Sequence, residues 1–351
     1  MSGGGPPHGP APSPTTRGLD IGGVRVAGRV LAAPMTGVTD LPFRRLAARL
    51  GAPYVATEMV ASAELARGRP DVVRRAAVGE GLPLMVIQLV GRDPALMAQG
   101  ARLAAQAGAE IIDINMGCPA KEVTGVQCGS ALMRDLDLAE RIVAAVVEGA
   151  DRPVTVKMRL GWDDASKNAP ELAWRAERAG AKGLAVHART RAQFYRGEAD
   201  WTAVAEVRAA TRLPLAVNGD IADAQTARGA LAASGADAVM IGRGVYGRPW
   251  LLGGLERTLA GEAALAEPGA EARLGIVLDH FAETLRFYGD RLGLRIFRKH
   301  LGWYVEQAPW PASAAARRAA KSALCRVEVA QEVERGLAAL WAGAGAARWA
   351  A

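Results

Sequence analysis

The chain has 351 residues, half of them apolar and 23% charged. That is a globular composition, long enough for a barrel of about 250 residues and a further piece of about 100. A net charge of +7 does not by itself demand a polyanionic partner. The absence of a long apolar run and of a secretory leader excludes a spanning helix and points to the cytoplasm, and three cysteines suit a reducing compartment better than a disulfide scaffold.

Residues 1–18 are rich in glycine and proline and are expected to be a disordered tail. Short apolar, β-branched runs follow at 30–35, 54–59, 84–90, 111–116, 154–160, 183–188, 215–218 and 238–241, separated by Ala-, Leu- and Arg-rich stretches at helical spacing. Eight strands alternating with helices predict an α/β fold, a (β/α)8 TIM barrel over residues 19–260. Beyond residue 255 the strand pattern stops. Residues 261–270 read as a linker, and 271–288, 291–306 and 312–342 as helices of a smaller C-terminal domain spanning 271–345.

In such barrels the chemistry lies at the C-terminal strand ends. Nearly every end here carries a polar group: Thr36, Gln88, Asn115, Lys157, Arg159, His187, Asn218, Asp220 and Arg243. Lys157 stands inside the apolar run Pro-Val-Thr-Val-Lys-Met-Arg-Leu, and a buried ammonium needs an electron-rich partner. The last two ends are the turns Asn218-Gly219-Asp220 and Gly242-Arg243-Gly244, which suit a phosphate. Residues 242–247 also match G-x-G-x-x-G, but after the eighth strand, so a dinucleotide fold is rejected. Cys118, in Asn-Met-Gly-Cys-Pro, is a thiol on a rigid turn and is open to a proton-donor, nucleophile or packing role. No metal-ligand spacing is visible. From these residues alone an enzyme reducing a free metabolite and a phosphosugar lyase or isomerase both remain open.

Five segments in order carry a resemblance: Ala-Pro-Met-Thr-Gly-Val-Thr-Asp (33–40), Ile-Asp-Ile-Asn-Met-Gly-Cys-Pro-Ala-Lys (112–121), Val-Lys-Met-Arg-Leu-Gly-Trp (156–162), Val-Asn-Gly-Asp-Ile (217–221) and Met-Ile-Gly-Arg-Gly (240–244). Together they resemble the tRNA-dihydrouridine synthases, and the second segment with Phe-Arg-Lys-His-Leu-Gly-Trp-Tyr (297–304) is most similar to the bacterial B-type branch. The resemblance implies FMN at the barrel mouth, NADPH or NADH as transient reductant, and transfer RNA as the partner of a helical domain. No stable protein partner is implied, and a monomer is expected.

By position, the resemblance places Pro34, Met35 and Thr36 beneath the flavin, and Gln88 and Lys157 against its ring. His187 falls on the phosphate side, with Asn218, Gly219, Asp220, Gly242 and Arg243 as the cradle. Cys118 becomes the general acid that protonates uracil C5 after hydride adds at C6, and Asn115 and Arg159 orient the uracil. The base leaves its stack to react.

Departures from the family pattern are Ala188 in His-Ala-Arg, expected to place a Cβ near the phosphate, and the loop Thr124-Gly125-Val126-Gln127-Cys128-Gly129, where a second glycine and a small non-thiol residue are commoner. For the RNA, Arg291, Arg295, Arg298 and Lys299 fall within about 100° of helical arc, beside an apolar stripe of Leu294, Phe297 and Leu301. Trp303, Tyr304 and Trp310 read as core.

Overall fold

The computed structural model describes residues 18–77, 79–262, 267–309 and 313–342. The first element is absent from the sequence reading. β1 (Leu19–Ile21) and β2 (Val24–Val26) pair antiparallel about Gly22 and Gly23, which take φ of 61° and 89°. Such a Gly-Gly turn between alternating triplets is a hairpin signal. Leu19, Ile21 and Val26 join Leu31, Tyr54 and Ile111 in one apolar cluster, and Gly22 lies against the side chains of Pro153 and Lys182, just before two barrel strands. The hairpin therefore plugs the N-terminal end of the barrel.

β3 (Val30–Ala32), β4 (Tyr54–Val55), β5 (Val60–Ala61), β6 (Val86–Val90), β7 (Ile111–Met116), β8 (Val154–Arg159), β9 (Gly183–His187), β10 (Leu215–Asn218) and β11 (Ala238–Ile241) form one parallel sheet in the order β4-β3-β11-β10-β9-β8-β7-β6-β5. β4 and β5 are two halves of a single barrel strand, and an Ala56–Val86 bridge between them closes the ring. The expected continuous strand over 54–59 is thus interrupted. The Thr57 hydroxyl accepts the Gln88 backbone N–H, and Glu58 turns inward to accept from Gly37. The first strand also stops early, at Ala32. Pro34 has no N–H to give, and the Met35 N–H goes to the Thr39 hydroxyl.

The surrounding helices are α1 (Leu41–Arg49), α2 (Ser62–Ala66), α3 (Pro70–Arg75), α4 (Pro94–Gln106), α5 (Lys121–Thr124), α6 (Leu136–Ala150), α7 (Ala169–Arg178), α8 (Ala203–Ala210), α9 (Ala224–Ser234) and α10 (Leu251–Leu259). Asp40, Asp93, Asp135 and Asp223 cap α1, α4, α6 and α9 by accepting a first-turn N–H, so carboxylates set where the barrel helices begin.

The C-terminal domain is α11 (Ala270–Tyr288), α12 (Asp290–Gln307), α13 (Ala314–Arg326) and α14 (Ala330–Trp341). The long helix expected over 312–342 is two helices. Val327 and Val329 are extended, and neither glycine nor proline announces the break. Val277, Phe281, Leu294, Phe297, Leu301, Leu324 and Leu337 make its core, which includes the apolar stripe of the sequence reading. Tyr304 belongs to the same core, whereas Trp303 stacks on Tyr246 of the barrel at 3.8 Å. The domain docks through Glu283, which accepts from Arg45 and Arg49 at 3.0 Å each, and through Phe43 stacked on His300. Nearly all of the expected tail, part of the linker, and Trp310 lie outside the described residues. Among the described residues no helix is long and apolar enough to cross a membrane.

Candidate active site

A cavity of about 850 Å³ opens at the C-terminal ends of the strands. Every barrel residue given a catalytic, cofactor or uracil role from the sequence lines it, from Pro34, Met35 and Thr36 after β3 to Gly242 and Arg243 after β11. Arg291, Arg295, Arg298 and Lys299 do not line it, since all four lie on α12.

Cys118 sits on a turn held from three sides. The Asn115 Oδ1 accepts the backbone N–H groups of Gly117 and Cys118 at 3.1 and 2.9 Å. Arg159, only 1% exposed, donates Nε to the Gly117 carbonyl at 2.8 Å. Ser130 donates its hydroxyl to the Cys118 carbonyl at 2.8 Å. Burial pushes the thiol pKa up, so it stays protonated through neutral pH. Cys128 is a separate free thiol whose Sγ donates to the Val126 carbonyl at 3.5 Å.

Beneath that turn runs a chain of buried hydrogen bonds. Thr155 and Gln88 each donate to Asp113 at 2.6 Å, and Asn115 donates Nδ2 to the Gln88 Oε1 at 2.8 Å. Burial raises Asp113 to about 6. Lys157 donates to the Asn218 Oδ1 at 3.2 Å, and burial, then the neighbouring Arg159, lowers it to about 8. Asp113 escaped the sequence reading because a lone Asp in a strand has no spacing to reveal it; its place inside the barrel, in register with Gln88 and Thr155, does.

Across the cavity, Gly219 has φ +123°, and a Cβ there would lie 2.8 Å from the Ala199 Cβ and 3.2 Å from the His187 ring. A Cβ on Gly242 would project toward Met35. Arg243 is half exposed and 3.6 Å from Asp220. The Asp220 carboxylate itself is engaged by the buried Arg189 and by the Ala199 N–H, so its contribution is the turn it holds. His187 is driven well below its ordinary pKa by burial and then by Arg159, Lys157, Arg189 and Arg243. A neutral imidazole among four cations marks an electropositive pocket suited to an anion. Ala188 departs from its expectation: it is fully buried in the layer between sheet and helices, because its neighbour His187 takes the inward face of β9.

Phe194 and Tyr195 also line the cavity, 41% and 44% exposed, and were not anticipated. The Tyr195 ring lies under the guanidinium groups of Arg159 and Arg243, at 5.5 and 4.9 Å. Two adjacent aromatics in an otherwise polar loop were the available signal. The donor set fits a phosphate-bearing aromatic cofactor. The glycine turns with Arg243 would hold the phosphate, Met35 would underlie the ring, and Gln88 and Lys157 would meet its polar edge.

Residues 30–340 match the family model described as dihydrouridine synthase. The chain is 52% identical over 303 residues to a probable tRNA-dihydrouridine synthase of Rhodobacter capsulatus, covering 86% of this chain and 93% of that one. It is 45% identical over 291 residues to tRNA-dihydrouridine synthase B of Pseudomonas aeruginosa, with 82% and 87% covered. Among solved structures it is similar in fold to a morphinone reductase variant in complex with tetrahydroNAD, at TM-score 0.50 and 19% identity over 75% of this chain and 94% of that one. The 6-hydroxypseudooxynicotine amine oxidase of Pseudomonas geniculata N1 gives TM-score 0.55 and 13% identity over 70% of this chain and 49% of that one.

Proposed function

The chain belongs to the dihydrouridine synthase family, on its bacterial B-type branch, and from that premise we propose that it reduces specific uridines of transfer RNA to 5,6-dihydrouridine, with FMN as cofactor and NADPH as reductant. The observation that carries the reading is the fixed Cys118 turn facing an electropositive, glycine-lined cradle across one cavity. When bound and reduced, FMN supplies the hydride that adds at uracil C6.

The chain's own residues do the rest. Cys118 holds a proton at Sγ and delivers it to C5, which becomes basic once C6 is reduced, because the C5–C6 bond is conjugated to the C4 carbonyl. Asn115 and Arg159 act through the turn, since both hold its backbone. Lys157, largely protonated at neutral pH, offsets negative charge beside the reacting ring. Gly219, Gly242 and Arg243, which line the same cavity, would hold the cofactor phosphate.

The test is anaerobic. The purified protein is reduced with NADPH and mixed with unmodified transfer RNA, and flavin reoxidation is followed together with dihydrouridine in the digested RNA. Both signals are expected. A flavin that stays reduced with a competent transcript would overturn the RNA as substrate, and a protein that takes up no FMN would overturn the cofactor.

A further inference from the structure

The Trp162 that closes the third sequence segment has no part in the cavity. Its indole carries two guanidinium groups instead, Arg191 at 4.6 Å and Arg134 at 5.0 Å from the ring. The three residues come from the successive loops after β7, β8 and β9, all on the face where the cavity opens. The loops are tied together: Arg191 donates its N–H to the Gly161 carbonyl, Ala192 to that of Trp162, and Asn168 its side chain to that of Met133. Among the described residues neither arginine has an ion pair. The closest acids in the sequence are engaged elsewhere, Asp163 by Ser166, Asp164 by Lys167, and Asp135 by the first turn of α6. The Arg191 Nε is buried with no acceptor. Two like charges over one ring, without carboxylates, are a local excess that an anion would relieve.

The position of this pair selects the anion. From β3 to β8 is four steps round the ring in either direction, through β4/β5, β6 and β7 or through β11, β10 and β9. The loop carrying Trp162 therefore stands opposite the turn after β3. Over that turn lies Lys299 of α12, whose Nζ would be 2.5 Å from a Cβ on Gly37. Cationic groups thus flank the cavity from both sides. Stacking fixes the plane of an arginine and leaves its N–H edge for a phosphate, whereas a Trp already covered by arginine is a poor platform for a base.

We propose that Arg134, Trp162 and Arg191 form a second contact for the phosphate backbone of the substrate RNA, across the cavity from Lys299. The contact rests on the RNA reading above. It would hold the strand on both sides of the nucleotide that enters the site, the arrangement that a flipped base requires.

The experiment compares the FMN-loaded wild type with Arg134→Gln/Arg191→Gln and with Arg134→Gln alone, the latter at an exposed position. Affinity for unmodified transfer RNA is measured across a salt series, alongside the flavin spectrum, kcat and KM. Expected is a loss of roughly tenfold in affinity for the double variant, with the slope of log K against log salt shallower by about one to two. The single variant is expected to show about half of that slope change. KM should rise while kcat at saturating RNA and the flavin spectrum hold. Wild-type affinity and slope in a folded, flavin-loaded double variant would overturn the contact. If the double variant does not fold, an unchanged slope in Arg134→Gln overturns it. A wild type that makes no dihydrouridine and binds no transfer RNA would overturn the RNA reading and this contact with it; a wild type that does both isolates the contact as the point at fault.

Discussion

Gln88 donates its amide Nε2 to Asp113 at 2.6 Å, and that single bond fixes which way the amide faces. With Nε2 committed to a carboxylate, Oε1 must face Asn115, and the Asn115 Oδ1 must then face the Cys118 turn. One buried acid thereby sets the direction of two amides and the position of the thiol.

Asp113→Leu is therefore expected to leave Thr155 and Gln88 without their acceptor, destabilising the protein by about 1–3 kcal/mol and lowering kcat more than it raises KM for RNA. Thermal denaturation and steady-state kinetics check it. Asp113→Asn keeps the shape and tests the charge. The native carboxyl is raised to about 6 from 3.8, so the folded state binds the proton more tightly. Its stabilising contribution is full below the unfolded value and is lost as pH rises through about 6. The stability of Asp113→Asn relative to wild type should thus improve from pH 4 to pH 7.

Lys157 has the opposite sign. Its pKa is lowered to about 8 from 10.5 by burial first and Arg159 second, so an ionised Lys157 costs stability at neutral pH, and the cost fades as pH rises from about 8 toward 10.5. Lys157→Met is expected to stabilise the flavin-free protein at pH 7 by about 1–2 kcal/mol while weakening FMN affinity. Calorimetry of stripped protein and a flavin titration give the two readouts. A stripped variant less stable than wild type would show that the lysine is structural.

Cys118→Ala should retain flavin and RNA binding and lose about 10²–10⁴ in turnover, the span of one general acid. Because the thiol is raised above its ordinary value by burial, its own ionisation should cost no turnover through neutral pH and should lower it only in the alkaline range. Unchanged turnover in the alanine variant would remove the thiol from the chemistry.

The basic stripe on α12 divides in the structure. Arg291, Arg295 and Lys299 are exposed, but Arg298 is partly buried, its Nε has no acceptor, and its carbonyl accepts from the Cys325 thiol on α13 at 3.6 Å. Arg295→Glu should weaken transfer-RNA binding with little change in melting temperature. Arg298→Glu should lower the melting temperature, by burying a carboxylate beside α13. Measuring both variants by both methods separates the two roles.

How far the sequence reached depends on whether a residue's partner is near it in the chain. The strand ends were legible because alternation and turn glycines are local, and the residues placed there do converge on one cavity. The hairpin at Gly22–Gly23 is equally local, but its strands are only three residues long, too short for alternation to stand out. Asp113 and Arg189 were not legible as site residues. Their partners, Gln88 and Asp220, lie 25 and 31 residues away, and only barrel closure brings them together. The break at Val327–Val329 carried no glycine or proline to mark it.

Gln127 carries a backbone cost that can be read from one angle. It has φ +57°, in the left-handed region that glycine adopts freely and a side chain resists. The close approach in this loop is made by Gly129, at φ +60°, where a Cβ would lie 2.8 Å from the Cys118 carbonyl oxygen. Gln127→Gly should relieve about 1 kcal/mol of strain, partly offset by the greater freedom of glycine in the unfolded chain, so a melting temperature equal to or slightly above wild type is expected. Gly129→Ala, by contrast, should displace the Cys118 turn and depress turnover at unchanged flavin content. Paired melting curves and kinetics decide it: if both variants behave alike, the strain at 127 and the packing at 129 are not separate devices.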